Sequence, residues 1–426
     1  MVTLSIHPTS VPTFRIAPAR PNRSRFEDRV SSEAVLCAFV HNASMMSRFR
    51  FSEPHRQVLE AIRRWQPVAR AELGRRLGIA SGPMSQLTRD LLKAGVIIEG
   101  DPLRGGRGQP SRPLSVNPAG GLSFGASLSP GMMRTVALDF AGTVIQERAQ
   151  SIEDGAPERV AGLLSEHIAA ITQTVRLDEP SRIVGVGLAV PGFFFQDSSK
   201  MRTVSEHAAW RQHDLKVWFQ ARLGLPVRIE NDATAAAMAE AFSSEGRTAR
   251  SLVLLLINYG IGAGVVIDGR PLRGAHGNVG EIGAYYPLGR PRPSGSDLLA
   301  YLAEKGMGEK SLERADFQTA GMDAVLRQWV DRAAPQLETV LESAWAWLDP
   351  DRLVIGGALP ARLLQALADA LPTRLFALHP ERPRPVIAAS TLGPAVAAIG
   401  AACLPLHAVT HPEPTTISRP QLNSSY

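Results

Sequence analysis

The sequence predicts an α/β protein: a small, mostly helical head ahead of a large body of two strand-rich lobes. Three observations carry that reading. Apolar residues recur at helical spacing from Pro54 to Ala94, and two short β-type runs follow. Two stretches, Leu122–Arg148 and Leu252–Ile267, read as strands and resemble each other in layout, with helical segments between and after them. Between them, Pro226–Glu240 reads as a short strand that ends in Asn231-Asp232 and passes directly into a helix. Five of the seven residues after Asp232 are alanine, the strongest helix former. A carboxylate where a strand hands over to a helix stands at the usual ligand position of an open α/β sheet; the alternative reading of Asp232 is an N-cap aspartate.

Composition narrows the function classes. At 426 residues, 44% of them hydrophobic, the chain can bury two or three domains. The most apolar run, Leu252–Ile257, is far too short to span a bilayer, and Met1–Arg20 lacks the apolar stretch of a signal peptide. Two cysteines, Cys37 and Cys403, argue against a disulfide scaffold and a cysteine zinc site. The expectation is a cytoplasmic protein with no membrane partner. The net charge of +6 is uneven: residues 1–49 carry six arginines against three acids, residues 50–112 twelve basic groups against six acids, and the remainder is slightly acidic. A basic head on an acidic body suits a polyanion bound by the head alone.

Residues 1–50, rich in Pro, Ser, Arg and Thr, are expected to be disordered apart from at most a short helix near Ser32–His41, and Met45 and Met46 offer alternative starts. Residues 51–118 form the head. Val58, Leu59, Ile62 and Trp65 mark a first helix and Ala69–Leu77 a second; Gly78-Ile79 is a turn; Ser81–Ala94 is a third helix, closed by Gly95. Val96–Ile98 and Leu114–Val116 are two strands around Arg104-Gly-Gly-Arg-Gly-Gln-Pro110. Three helices and a two-stranded ribbon predict a winged helix-turn-helix that binds double-stranded operator DNA. The third helix then presents Ser81, Ser85, Gln86 and Arg89 to the major groove, and Arg104 and Arg107 of the wing reach a narrow minor groove. Pro83 is tolerated because it falls in the first helical turn.

Pro118–Gly121 is the candidate hinge. The body, 122–407, opens with strands Leu122–Leu128, Arg134–Phe140 and Thr143–Arg148, then a helix Glu158–Val175 and a buried strand Ile183–Val190. Helix Leu215–Leu223 and strand Val227–Ile229 lead to Asn231. The second lobe has strands Leu252–Ile257, Gly264–Ile267 and Arg352–Gly356, helices Asp297–Glu304, Asp323–Trp347 and Ala361–Leu371, and a final helix Gly393–Leu404; residues 408–426 read as a disordered tail. A second acidic site lies at Gly274-Ala-His-Gly-Asn-Val-Gly-Glu-Ile-Gly283. Five glycines or alanines around Glu281 let the backbone press close to a small polar ligand.

Taken in order, Asn231-Asp232 before an alanine helix, Gly260–Gly264, Gly274–Gly283 and Gly356-Gly357 resemble the ROK family of sugar kinases and sugar-responsive repressors. The resemblance covers about Phe124–Leu406, and a second match, to the repressors' DNA-binding head, covers about Glu53–Asn117. It implies a two-lobed actin-like (hexokinase-like) fold. It also implies that Asn231, Asp232 and Glu281 hold sugar hydroxyls, Asp232 being the general base in the kinases. His207, in Ser205–Trp210, stands where relatives carry a ligand-facing asparagine. Trp210 in the same stretch is read first as a core aromatic.

Against the family pattern, several elements are replaced. The first phosphate loop, Asp-x-Gly-Gly-Thr in the kinases, is here Ser127-Leu-Ser-Pro-Gly131, and the second, Gly-Thr-Gly, is Asn258-Tyr259-Gly260. Ala284 replaces the family's zinc histidine, and Tyr285–Tyr301 contains neither cysteine nor histidine, so neither a metal nor a cofactor is expected. The reading that follows is a sugar-responsive regulator, a homodimer or dimer of dimers, without kinase activity; the alternatives are a ROK-type sugar kinase and a regulator that has lost its ligand.

Overall fold

The computed structural model describes residues 49–411 apart from 103–111, 154, 176–181, 196–200, 204–209, 212, 288, 309–310, 313–316, 318–320, 372–375 and 377–379. The expectations for the Ser32–His41 helix, Arg104, Arg107 and His207 lie outside the described residues.

The head comprises α1 (Glu53–Trp65), α2 (Arg70–Leu77), α3 (Ser81–Lys93) and the antiparallel pair β1 (Ile97–Glu99) and β2 (Leu114–Val116). Each helix buries the apolar stripe read from the sequence: Val58, Leu59 and Ile62 on α1, Leu73 on α2, Met84 and Leu91 on α3. Gly78, at φ 66°, ends α2 in the left-handed conformation.

The body is built on two five-stranded sheets of one pattern. The first has the order β5–β4–β3–β6–β9, with β3 (Leu122–Ser129), β4 (Met132–Asp139) and β5 (Val144–Ser151) antiparallel; β6 (Ile183–Val190) and β9 (Val227–Asn231) run parallel to β3. The second repeats it as β12–β11–β10–β13–β14: β10 (Ser251–Ile257), β11 (Ile261–Ile267) and β12 (Arg270–Pro271) are antiparallel, and β13 (Arg352–Gly357) and β14 (Val386–Ala389) parallel to β10. A separate hairpin joins β7 (Gly192–Phe194) to β8 (Met201–Thr203). The sequence reading omits β7, β8, β12 and β14, whose two to four residues are too short to show a period.

Helices α4 (Pro157–Thr174) and α5 (Leu215–Leu223) cover the first sheet, and α7 (Gly295–Glu304), α8 (Met322–Leu348) and α9 (Ala361–Ala370) cover the second. Between the sheets cross α6 (Asp232–Phe242) and α10 (Val396–Thr410). Both are alanine-rich because they pack backbone against backbone: a Cβ on Gly400 would stand 1.7 Å from the carbonyl oxygen of Ala235. Gly393–Thr410 is the one described helical stretch long and apolar enough to cross a bilayer, and 67% of it is buried in this core.

Three boundaries differ from the sequence reading. Phe49, placed in the disordered extension, is buried and stacks on Phe140 at 5.8 Å. The last helix, read as ending at Leu404 with a tail from residue 408, continues to Thr410, and His411 is 3% exposed, because this end packs on α1 rather than facing water. The candidate hinge is tied down on both sides. Asn117 Nδ2 donates to Gly95 O at 2.7 Å, Phe140 N to Pro118 O at 3.1 Å, and Arg182 Nη1 to Ala119 O at 2.7 Å. The head therefore shares one apolar core with α6 and α10.

Candidate functional site

Strand β9 delivers Asn231 and Asp232 to the cleft between the two sheets, and the two neighbours do different work. Asn231 is the N-cap of α6: its Oδ1 accepts from Ala233 N at 2.8 Å and Thr234 N at 3.3 Å, and its Nδ2 donates to Gly192 O at 2.7 Å. Asp232 is thus the first helical residue and not the cap. It faces the cleft, with Oδ1 3.0 Å from Ala233 N. Burial pushes its carboxyl above the usual range, while hydrogen bonds from the Ala233 amide and the Asn258 side chain pull it down.

Glu281 stands across the same cavity on the turn between Arg273 and Gly283. Burial against the cleft walls, then the nearby Asp232 charge, pushes its carboxyl up to about 7. Gly280 makes this turn fit: its φ is 96°, and a Cβ there would stand 1.9 Å from Ala263 O, because its carbonyl accepts from Ala263 N on β11. The cavity measures about 760 Å³ and is also lined by Leu128–Pro130, Pro191–Phe193, Arg202, Thr203, Asn258–Gly262, Arg292, Ser296 and Leu299. Its volume lies in the range of small-molecule sites. A cluster of acids, amides and arginines around an apolar floor offers partners for both the donor and the acceptor capacity of hydroxyls.

Several residues that hold this geometry escape sequence reasoning. Glu230, 1% exposed, accepts from Asn231 N at 3.0 Å through one oxygen and from Arg273 Nε and Nη2, at 2.9 and 2.6 Å, through the other. It thereby clamps the strand carrying Asp232 to the turn carrying Glu281. Asn278 makes a two-point clasp with the backbone of Phe194, both bonds at 2.8 Å. Asn258 joins Asp232 to the other lobe, accepting from Ala358 N at 3.0 Å. Alternation along β9 would set Glu230 on the face of the exposed Arg228, so the sequence does not mark it as buried, and its partner lies 43 residues away with no local mark.

The two stretches that the resemblance compares with the kinases' phosphate loops make other contacts. Ser129 and Pro130 form the β3–β4 turn at the cavity edge. The Tyr259 hydroxyl accepts from Leu312 N at 3.2 Å. The carbonyls of Asn258 and Tyr259 take the amides of Gly295 and Ser296, at 2.7 and 3.1 Å, which occupies the start of α7. Among the described residues there is no group of three His, Cys, Asp or Glu side chains placed to hold a metal, and residues 284–301 contain no histidine or cysteine to ligate zinc. There, Asp297 accepts from Trp329 Nε1 at 2.8 Å and from Arg332, tying α7 to α8. Trp210 is fully buried and donates to Gly155 O at 2.7 Å, a core aromatic as read.

On the head, α3 exposes Ser81, Gln86 and Arg89, and Ser85 is half-buried. Arg89 Nη1 donates to Gln86 Oε1 at 2.9 Å, and Gln86 Nε2 to Asp90 at 3.0 Å, so these side chains form one hydrogen-bonded row on the open face.

Comparison with known proteins places this geometry. The family model described as the ROK family matches residues 135–408. An uncharacterized protein of Sinorhizobium fredii is 31% identical over 353 residues, covering 82% of this chain and 90% of that protein. The xylose repressor of Bacillus spizizenii is 29% identical over 231 residues, 53% of this chain, which spans 58% of that repressor's length. A glucokinase of Halalkalibacterium halodurans is 28% identical over 207 residues, 42% of this chain and 62% of the enzyme. Among solved structures, a ROK family transcriptional regulator, homolog of the E. coli MLC protein, superposes with a TM-score of 0.59 at 21% identity, over 84% of this chain and 96% of its own, which speaks for the fold. With its two repeated sheets, its acid pair at the cleft and a family match spanning most of the body, the chain belongs to the ROK family and has that family's α/β, actin-like fold.

Proposed function

We propose that this protein is a sugar-responsive transcriptional regulator, most simply a repressor. Its head is a winged helix-turn-helix that binds operator DNA, and its body holds a sugar or sugar derivative at Asp232 and Glu281. The observation that carries the reading is the pairing of a three-helix, two-strand basic head with a polyol-sized cavity whose phosphate-loop positions are filled by Ser129-Pro130 and Tyr259. The xylose repressor relative supports it. In this reading α3 lies in the major groove with Ser81, Ser85, Gln86 and Arg89 toward the bases, the protein acts in the cytoplasm as a homodimer, and each head fills one half-site. A ligand that prefers one lobe arrangement shifts the spacing of the heads. Footprinting on the DNA upstream of the chain's own gene, with and without a panel of pentoses, hexoses and amino sugars, tests it. A protected site that a sugar weakens is expected, and absence of any protection overturns the proposal.

One observation favours a second reading, a ROK sugar kinase. Asp232 is a half-buried carboxylate held above its usual pKa, as a general base for a sugar hydroxyl would be. ATP consumption over the same sugars at roughly 1–100 s⁻¹ would decide for the kinase.

A further inference from the structure

The helix that begins at the cavity ends at the head. α6 runs from Asp232 to Phe242, eleven residues that rise about 16 Å. Over the Phe242 ring lies the guanidinium of Arg63, 4.1 Å from the centroid. Arg63 belongs to α1 of the head and is 5% exposed. Glu60, on the same helix, holds it by two bonds of 2.7 Å. Glu60 Oε1 also lies 3.3 Å from His411 Nε2, just past the end of α10, and the His411 ring stacks on His407 at 3.9 Å. Gly269, in the β11–β12 turn, closes on the same imidazole. Four residues on, just past β12, the chain reaches Arg273, the partner of Glu230. Two routes thus leave the cavity, one through α6 and one through Arg273 and the β11–β12 turn, and both meet α1 at one buried cluster.

This path is stiff. Nine of the eleven residues of α6 are buried, and the backbone contact of Ala235 with Gly400 leaves no room for the helix to bend independently. A close-packed interior of this kind moves as a unit between discrete arrangements. We infer that Arg63, held in place by Glu60, is a positioning residue that fixes the head to the far end of α6, so that a shift of α6 at Asp232 is delivered to α1 and through it to α3. The meaning of the coupling rests on the regulator reading, but its existence can be measured without DNA or sugar.

The experiment is hydrogen exchange read by mass spectrometry on the full chain, comparing wild type with Arg63→Ala, Arg63→Lys and Phe242→Leu. Arg63→Ala and Phe242→Leu are expected to speed exchange at least about tenfold in α1, and also at the cavity, in residues 230–236 and 273–283. Arg63→Lys, which keeps the charge but loses the bidentate fork, falls between. In the other direction, Asp232→Asn changes exchange in α1 while the β3–β4 hairpin stays as in wild type. Phe242→Leu carries the test alone if Arg63→Ala fails to fold, because it leaves the head's sequence intact. Changes confined to α1 and residues 239–242, with the cavity peptides unmoved, overturn the inference and leave the regulator reading standing. Absent operator binding by the wild type sinks that reading and leaves the coupling standing.

Discussion

Two adjacent side chains at the cleft should respond to mutation in opposite ways. Asn231 is the N-cap of α6 and also holds Gly192 O; Asp232 makes no capping bond to the helix beyond its own neighbour's amide. Asn231→Ala removes three hydrogen bonds. Loss of the cap costs about 1 kcal/mol, and the orphaned Gly192 carbonyl adds about 1–2 kcal/mol. A total of about 2–3 kcal/mol corresponds to a fall in melting temperature of about 3 °C for a chain of this size. Asp232→Asn keeps the shape and removes a group whose charge burial disfavours, so its stability should stay within about 0.5 kcal/mol of wild type. Thermal unfolding by circular dichroism gives both numbers. The same two proteins in a thermal-shift screen against sugars should separate further: Asp232→Asn loses the ligand response while its head still binds DNA. If Asp232→Asn falls as far as Asn231→Ala, Asp232 is a structural residue and its assignment to the ligand fails.

Three other outcomes follow from the same geometry. Arg273→Ala leaves Glu230 buried without its partner and should cost about 3 kcal/mol in urea unfolding, the lower end for such a loss because Arg273 itself is half exposed. A shift below about 1 kcal/mol would falsify the clamp, and adding Glu230→Gln should recover part of the loss. Gly280→Ala forces a Cβ into Ala263 O at a left-handed φ; it should cost about 2 kcal/mol or more and weaken sugar binding, and an unchanged urea midpoint would show that the turn is not seated on β11. Glu281, with its carboxyl pushed up to about 7 in the folded chain, keeps its proton where the unfolded chain has lost it. Stability should therefore fall as pH rises from about 4.5 to about 7, and Glu281→Gln should flatten that slope; a slope unchanged in the variant refutes the assignment.

The sequence by itself determined the helical head, the duplicated strand layout and the acid pair. Each rests on local signals: the 3.6-residue stripe of α1–α3, the glycine at Gly78, and the alanine run after Asp232 that can only be a buried helix. It also exposed where the chain departs from the pattern of the family it resembles, since Tyr259 and Ala284 are legible as identities. It left undecided whether Asp232 caps its helix or faces a ligand, because either role puts an acid at a strand-to-helix junction. Tertiary structure decided that by giving the cap to Asn231, which needs Gly192 as a third partner. Partners far apart in sequence were likewise invisible: Glu230 and Arg273, Asn278 and Phe194, and Arg63 and Phe242 meet only in the folded tertiary structure. The hinge failed for the same reason. Pro118–Gly121 has the composition of a free linker, and only the contacts of Asn117, Arg182 and Phe140 show that head and body share one core. Periodicity and composition report what a residue does to its own segment; which distant group it meets is set by the packing of whole elements, and that is where this protein's cavity and its connection to the head reside.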